Sequence, residues 1–305
     1  MHAPSDHHAA AGQRGRTPAR WRAAAIVTAA AALSLAVGPM PASAADGYTV
    51  TATIPVGHAP DAVAADPAAG TVYVTNYTDK TVSVIDAAGR KVIATIPVGT
   101  NPEAVAADPA AGTVYVANTS DNTVSVIDAA SRRVTATIPV GHAPEAVAAD
   151  PALGTIYVTN TGDNTVSVID AAGRTVTASI PVGGQPVAVA ADPAAGTVYV
   201  VNAGDSTVSV IDAADRKVIA TIPVGYGPDA VAADPAAGTV FVANFYAGTV
   251  SVIDAATGKV TTTIPASGHV EPVGLAVDPG LGTVYVANAA DNTVLVISAA
   301  RVPRG

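Results

Sequence analysis

Carboxylates recur along this chain at a fixed step. Asp61, Glu103, Glu145 and Asp229 hold equivalent places in a pattern with a 42-residue period, and Val187 and, after a two-residue insertion in the last copy, Val273 stand at its two other places. Acids gathered at one channel mouth would suit Ca²⁺ or another hard divalent cation, which takes oxygen ligands. The competing reading gives each acid only the task of solvating a rim, since side chains spread around a wide ring stand too far apart for one ion. His58, His142 and His269 lie in neighbouring linkers as candidate ligands or bases, against the commoner case of isolated surface histidines. A second acidic set, Asp79, Asp121, Asp163, Asp205 and Asp291, sits in Asp-Asn, Asp-Lys and Asp-Ser turns, and reads as turn chemistry. Asp86, Asp128, Asp170, Asp212 and Asp254 close β-like runs and start turns. Cysteine is absent, so disulfides and thiolate metal sites are excluded. No glycine-rich phosphate cradle or nucleophile elbow occurs, and no cofactor is expected beyond the divalent cation just considered.

The elements that must position these groups are short. In the copy from Glu145, four β-like runs alternate with turn residues: Glu145–Ala149, Thr155–Asn160, Thr165–Asp170 and Thr175–Ile180. Val, Ile, Thr and Tyr fill the runs, while Gly, Pro, Asp and Asn mark the joints. Ile156 and Val158 point to one side and Tyr157 to the other, so both faces carry apolar side chains and both need covering. Four-stranded antiparallel units of this length, packed face to face, are the blades of a β-propeller. A solenoid would need polar caps, and neither end has one.

Counting strands predicts six blades. The pair Ile-Pro recurs at 54, 96, 138, 180, 222 and 264, and proline belongs on an edge strand, which places the fourth strand at the rim. The alanine-rich first strand would be innermost. Tyr48–Val56 matches a fourth strand, whereas the chain's last run, Thr293–Ser298, is a third strand. The N-terminal run is therefore expected to complete the last blade and close the ring, hiding both edges. The domain plan is a signal peptide over 1–44 and one all-β, six-bladed propeller of four-stranded antiparallel blades over 45–305, in repeats of 42–44 residues.

The second-strand signatures Tyr73-Val74-Thr75-Asn76 and Tyr157-Val158-Thr159-Asn160, with the variants YVAN, YVVN and FVAN, resemble the YVTN family of β-propeller repeats. That family includes surface-layer and YncE-like secreted or periplasmic proteins. The resemblance spans Tyr48–Ser298 and implies the fold, though family members often have seven blades. It implies little about activity, because a fold does not carry one.

The first 44 residues bound the address. Arg14, Arg16, Arg20 and Arg22 precede a largely apolar stretch, Ala23–Val37, and Ala42-Ser43-Ala44 supplies small residues for cleavage after Ala44. This is the pattern of a Sec-type secretory signal, and no later segment is long and apolar enough to span a membrane. From Ala45 onward 23 acidic residues face 11 basic ones. Such a balance, with aromatics only 4% of the chain, disfavours nucleic acid and anionic membrane surfaces.

Comparing the copies with one another separates two faces. The first turn hardly varies: DPAAG in four copies, DPALG and DPGLG in the others. The linkers (GHAPD, GTNPE, GHAPE, GGQPV, GYGPD, SGHVEPV) and the second hairpins (YTDK, TSDN, TGDN, AGDS, FYAG, AADN) differ from copy to copy. Both variable sets fall on one side of an up-and-down blade, where either a ligand or simple drift accounts for them. The leading functional reading is a secreted, non-enzymatic binding or scaffold protein. It would use His58, Asn101, His142, Gln185, Tyr226, Tyr246 and His269 against a protein, cell-envelope component or small molecule, as a monomer. The alternative is a lactonase- or lyase-like propeller enzyme, metal-dependent through Asp61, Glu103, Glu145 and Asp229. A quinone stacked on tryptophan is disfavoured, because Trp21 falls inside the signal.

Overall fold

The structure, a computed structural model, describes residues 52–266, 272–278, 282–288 and 293–298. The expected signal peptide with its cleavage point, Tyr48–Thr51 and His269 lie outside the described residues. Every described element is a β-strand, and the strands build a six-bladed propeller of antiparallel sheets. Blade three shows the plan: Pro144–Asp150, Thr155–Asn160, Thr165–Asp170 and Thr175–Pro181, each hydrogen-bonded to the next in chain order. Blades one, two, four and five, at Pro60–Pro97, Pro102–Pro139, Pro186–Pro223 and Pro228–Pro265, have the same order. Blade six consists of Pro272–Asp278, Thr283–Asn288 and Thr293–Ser298, a three-stranded sheet among the described residues.

The alanine-rich first strands are innermost, as expected, and each packs on the next from blade one to blade six. The proline-ended fourth strands form the exposed rim, where a missing N–H leaves no ladder bond unmade. The glycine of the constant turn takes a left-handed φ (Gly112 +61°, Gly154 +60°), and the turn's aspartate caps it: Asp108 Oδ1 accepts from the Ala110 and Ala111 N–H groups.

Each blade has two unlike apolar faces. The leading face of blade one, with Ala62, Tyr73, Val82, Val84 and Ile96, packs into the trailing face of blade two, with Val105, Val114, Val116 and Ile127. Tyr115, Val124 and Val126 then meet Ile156, Val158 and Ile169, and the scheme repeats through to blade six. Tyr73, Tyr115, Tyr157 and Tyr199 are the largest side chains sealed in these layers. Burial pushes the Tyr157 hydroxyl up to about 12, helped by the nearby Asp150 charge, so it stays protonated through the physiological range.

The sequence reading had Tyr48–Val56 closing the ring on blade six. Of that segment, Ala52–Val56 is described, and it lies outside any strand. Among the described residues, packing between the inner strands of blades six and one falls short of that at the other five junctions. Burial follows: Val294 and Val296, on the leading face of blade six, are 60% and 59% exposed, while their counterparts Val82 and Val84 are at 0%. On the trailing face of blade one, Val72 and Val74 are half-buried, where Val114 and Val116 are sealed.

Candidate functional site

The second-strand asparagine is the node from which the variable face is built. Asn118 is fully buried, and its Nδ2 donates to Thr123 Oγ1 at 3.1 Å and Ser125 Oγ at 2.9 Å. Its Oδ1 accepts from the Gly99 N–H at 3.1 Å, tying the incoming linker to the blade. Asn76 makes the same three bonds with Thr81, Ser83 and Gly57. The glycine is required by close approach: a Cβ at Gly99 would lie 2.6 Å from Asn118 Cγ. The last letter of the second-strand signature thus serves architecture.

The hairpin aspartates hold the linkers from the other side. Asp79 Oδ2 accepts from the His58 N–H at 2.8 Å, Asp121 from Thr100 at 2.6 Å, Asp163 from His142 at 2.7 Å and Asp205 from Gly184 at 2.6 Å. Asp291 lies outside the described residues. No short motif reveals this role, because each partner lies 21 residues away. In two copies the imidazole adds a bond: Nδ1 lies 2.9 Å from Asp79 Oδ1 for His58 and 2.8 Å from Asp163 Oδ1 for His142. A carboxylate only accepts, so Nδ1 carries the proton and Nε2 is turned toward solvent.

These bonds hold Asp79 and Asp163 below the ordinary 3.8, chiefly through the backbone N–H of His58 and His142, then through their rings. A carboxyl depressed in the folded state adds stability that is complete above its unfolded pKa and vanishes as pH falls through the folded one. The two linkers should therefore loosen only below about pH 4. Amide hydrogen exchange at His58 and His142 should rise there, and in Asp79→Asn with Asp163→Asn it should already be raised at neutral pH.

The six described residues of the expected binding face are spread over it. His58 and His142 stand in linkers two blades apart, each tied to its own hairpin. Asn101 reaches across to blade one, donating from Nδ2 to the Tyr77 hydroxyl at 2.6 Å, and the Gln185 N–H donates to Asn164 Oδ1 at 2.9 Å. Tyr226 and Tyr246 do come together, with ring centroids 5.4 Å apart in a stacked pair, and Phe245 meets Tyr246 edge-on at 4.9 Å. Both tyrosines are exposed, at 68% and 54%.

Blade five departs from the rule that holds its neighbours. Where the other described hairpins have aspartate it has Ala247, so the aspartate clamp is replaced by the stacked rings. Gly227, with φ +61°, makes room for the Tyr246 ring, which any side chain at that position would strike. Ala59, Asn101, Ala143 and Gln185 take a similar φ at the equivalent place.

Two of the four candidate metal ligands are tied to threonines of their own blades. Glu103 Oε2 lies 2.6 Å from Thr119 Oγ1 and Glu145 Oε2 lies 2.5 Å from Thr161 Oγ1. The same hydroxyls approach the carbonyls of Pro144 and Pro186 on the following blade, at 2.6 and 2.8 Å. These glutamates therefore sit in the seams between blades. Among the described residues no three His, Cys, Asp or Glu side chains gather closely enough to hold a metal ion. Nor is any helix among them long and apolar enough to cross a membrane.

No family model matches this chain, and no curated protein does. Among solved structures, the chain is similar to one described as Kuenenia stuttgartiensis hydrazine synthase, at 19% identity and a TM-score of 0.57. The likeness covers 83% of this chain and 99% of that one. At that identity it is a likeness of fold alone.

Proposed function

We propose that this is a secreted, non-enzymatic propeller of the YVTN-repeat kind, which binds a partner through the face of linkers and second hairpins. The observation that carries the reading is blade five. Four coordinated changes there, Tyr226, Gly227, Tyr246 and Ala247, exchange a linker clamp for an exposed aromatic ledge. Drift would remove an aspartate without also supplying the glycine that seats a ring. Exposed tyrosines offer large, stiff contact area with a polar tip, and such residues dominate binding energy where they occur. The partner fitting this ledge is a protein, a cell-envelope component or a small molecule with a flat apolar surface. His58, Asn101, His142 and Gln185 would be secondary contacts on the same face, and the 1–44 leader would place it outside the cell.

The test is sedimentation of the purified chain with cell-envelope fragments of the producing organism. Tyr226→Ser with Tyr246→Ser should weaken binding by about tenfold or more while leaving the melting temperature unchanged, because both rings are exposed. Undiminished binding by the double variant would remove this face from consideration.

A further inference from the structure

We infer that the ledge on blade five takes a basic segment of a partner protein, with an arginine side chain laid against Tyr226 and Tyr246. This rests on the ledge being the binding surface, and it names the chemistry of what binds there. The first observation is how charge divides between the two faces. Apart from Lys80, every described lysine and arginine lies in or next to a turn between a third and a fourth strand, from Arg90 and Lys91 in blade one to Lys259 in blade five. Those turns belong to the face opposite the linkers and second hairpins. The variable face has an aspartate or glutamate in each of blades one to five, and Lys80, in blade one, is its one lysine or arginine among the described residues. Asp79 and Asp163, held below the ordinary carboxyl range by bonds from their linkers, are ionised at neutral pH.

The second observation is where the ledge stands in that field. The linker entering a blade borders the hairpin of the blade before it, as Asn101 does with Tyr77 and Gln185 with Asn164. Tyr226 therefore borders the hairpin that contains Asp205, and Asp229 opens the inner strand into which Tyr226 leads. The face of a tyrosine ring is negative and attracts a guanidinium or ammonium group. Arginine adds a flat surface that stacks on the ring while its N–H groups reach a carboxylate, which an ammonium does less well. Attraction at the ledge is thus joined to attraction over the whole face. A single small cation would use the ledge alone. The acids run from blade one to blade five, a reach that suits several cations strung along one chain. The same field repels nucleic acid and anionic envelope polymers.

The probe is a fluorescent synthetic peptide of alternating arginine and glycine, run beside its lysine and glutamate counterparts in anisotropy titrations of the purified chain. The arginine peptide should bind best, the lysine peptide several-fold more weakly and the glutamate peptide not at all. Affinity should fall as added salt shortens the screening length from about 30 Å at 0.01 M to about 8 Å at 0.15 M. Tyr226→Ser with Tyr246→Ser should weaken the arginine peptide about fivefold and bring it level with the lysine peptide. Asp205→Asn, which keeps an oxygen for the Gly184 N–H, should weaken both basic peptides alike. Equal binding of the glutamate peptide, indifference to salt, or arginine binding that ignores both tyrosines would each overturn the proposal. If envelope fragments sediment with the chain through Tyr226 and Tyr246 while the arginine peptide does not bind, the cationic partner is wrong and the ledge stands. Displacement of those fragments by chitin oligosaccharides, and not by the arginine peptide, would likewise overturn the proposal and give the ledge to a glycan. Loss of tyrosine dependence in both assays would remove the ledge itself.

Discussion

Asn118→Ala should lower stability by about 3 kcal/mol, because it strips a buried node of all three of its hydrogen bonds. The Gly99 N–H and the hydroxyls of Thr123 and Ser125 lose their partner together, and Ser125 is itself buried. At about 2–4 °C per kcal/mol for a domain near this size, the melting temperature should fall by about 6–12 °C. Gly99→Ala should cost a comparable amount for a steric reason, since its Cβ would stand 2.6 Å from Asn118 Cγ and 2.7 Å from Asp121 Oδ2. The two effects share one cause, so they should not add. With Asn118 already alanine, the added cost of Gly99→Ala should shrink by about 1 kcal/mol or more, the remainder coming from Asp121. Thermal melting of the four proteins in this cycle is the measurement. Strict additivity would mean that Asn118 and Gly99 act independently and that the node described here is wrong.

That node also marks what could and could not be read from the amino-acid sequence. Period, strand boundaries and radial order were legible because each rests on local chemistry: proline at the rim, alanine at the axis, valine and isoleucine on both faces. The predicted runs Thr155–Asn160 and Thr165–Asp170 coincide with the observed strands, and Glu145–Ala149 falls one residue inside the observed bounds at each end. The work of Asn118 was hidden because its partners lie five, seven and 19 residues away, so no short motif contains them. The aspartates of the hairpins were read as ordinary turn residues for the same reason, although they restrain the linkers. On the variable face, Tyr226 and Tyr246 were picked out singly; their contact depends on Gly227, which as a sequence letter looks like any other turn glycine. The six-blade count was legible because Ile-Pro recurs once per blade at a fixed spacing.

A difference in burial makes the same substitution mean different things at equivalent places. Val158→Asp in blade three would put an unpaired carboxylate into a sealed interface with Tyr115, Val124 and Val126. Burying a charge without a partner costs several kcal/mol, and the charge would either stay neutral or force the two blades apart. Loss of more than about 4 kcal/mol is expected, with melting temperature down by about 8–16 °C. Val74 holds the same position in blade one but is only half-buried. There an aspartate can turn to water, so Val74→Asp should cost no more than about 1 kcal/mol. The pair isolates packing from everything else, since strand, register and neighbouring sequence are matched: Val158 pairs Val147 and Ser167, and Val74 pairs Val63 and Ser83. Equal losses in dilute solution would show that the trailing face of blade one is covered and that the ring closes on itself. Unequal losses would show that cover by a neighbouring blade, and not the strand itself, sets the cost of the charge at Val158.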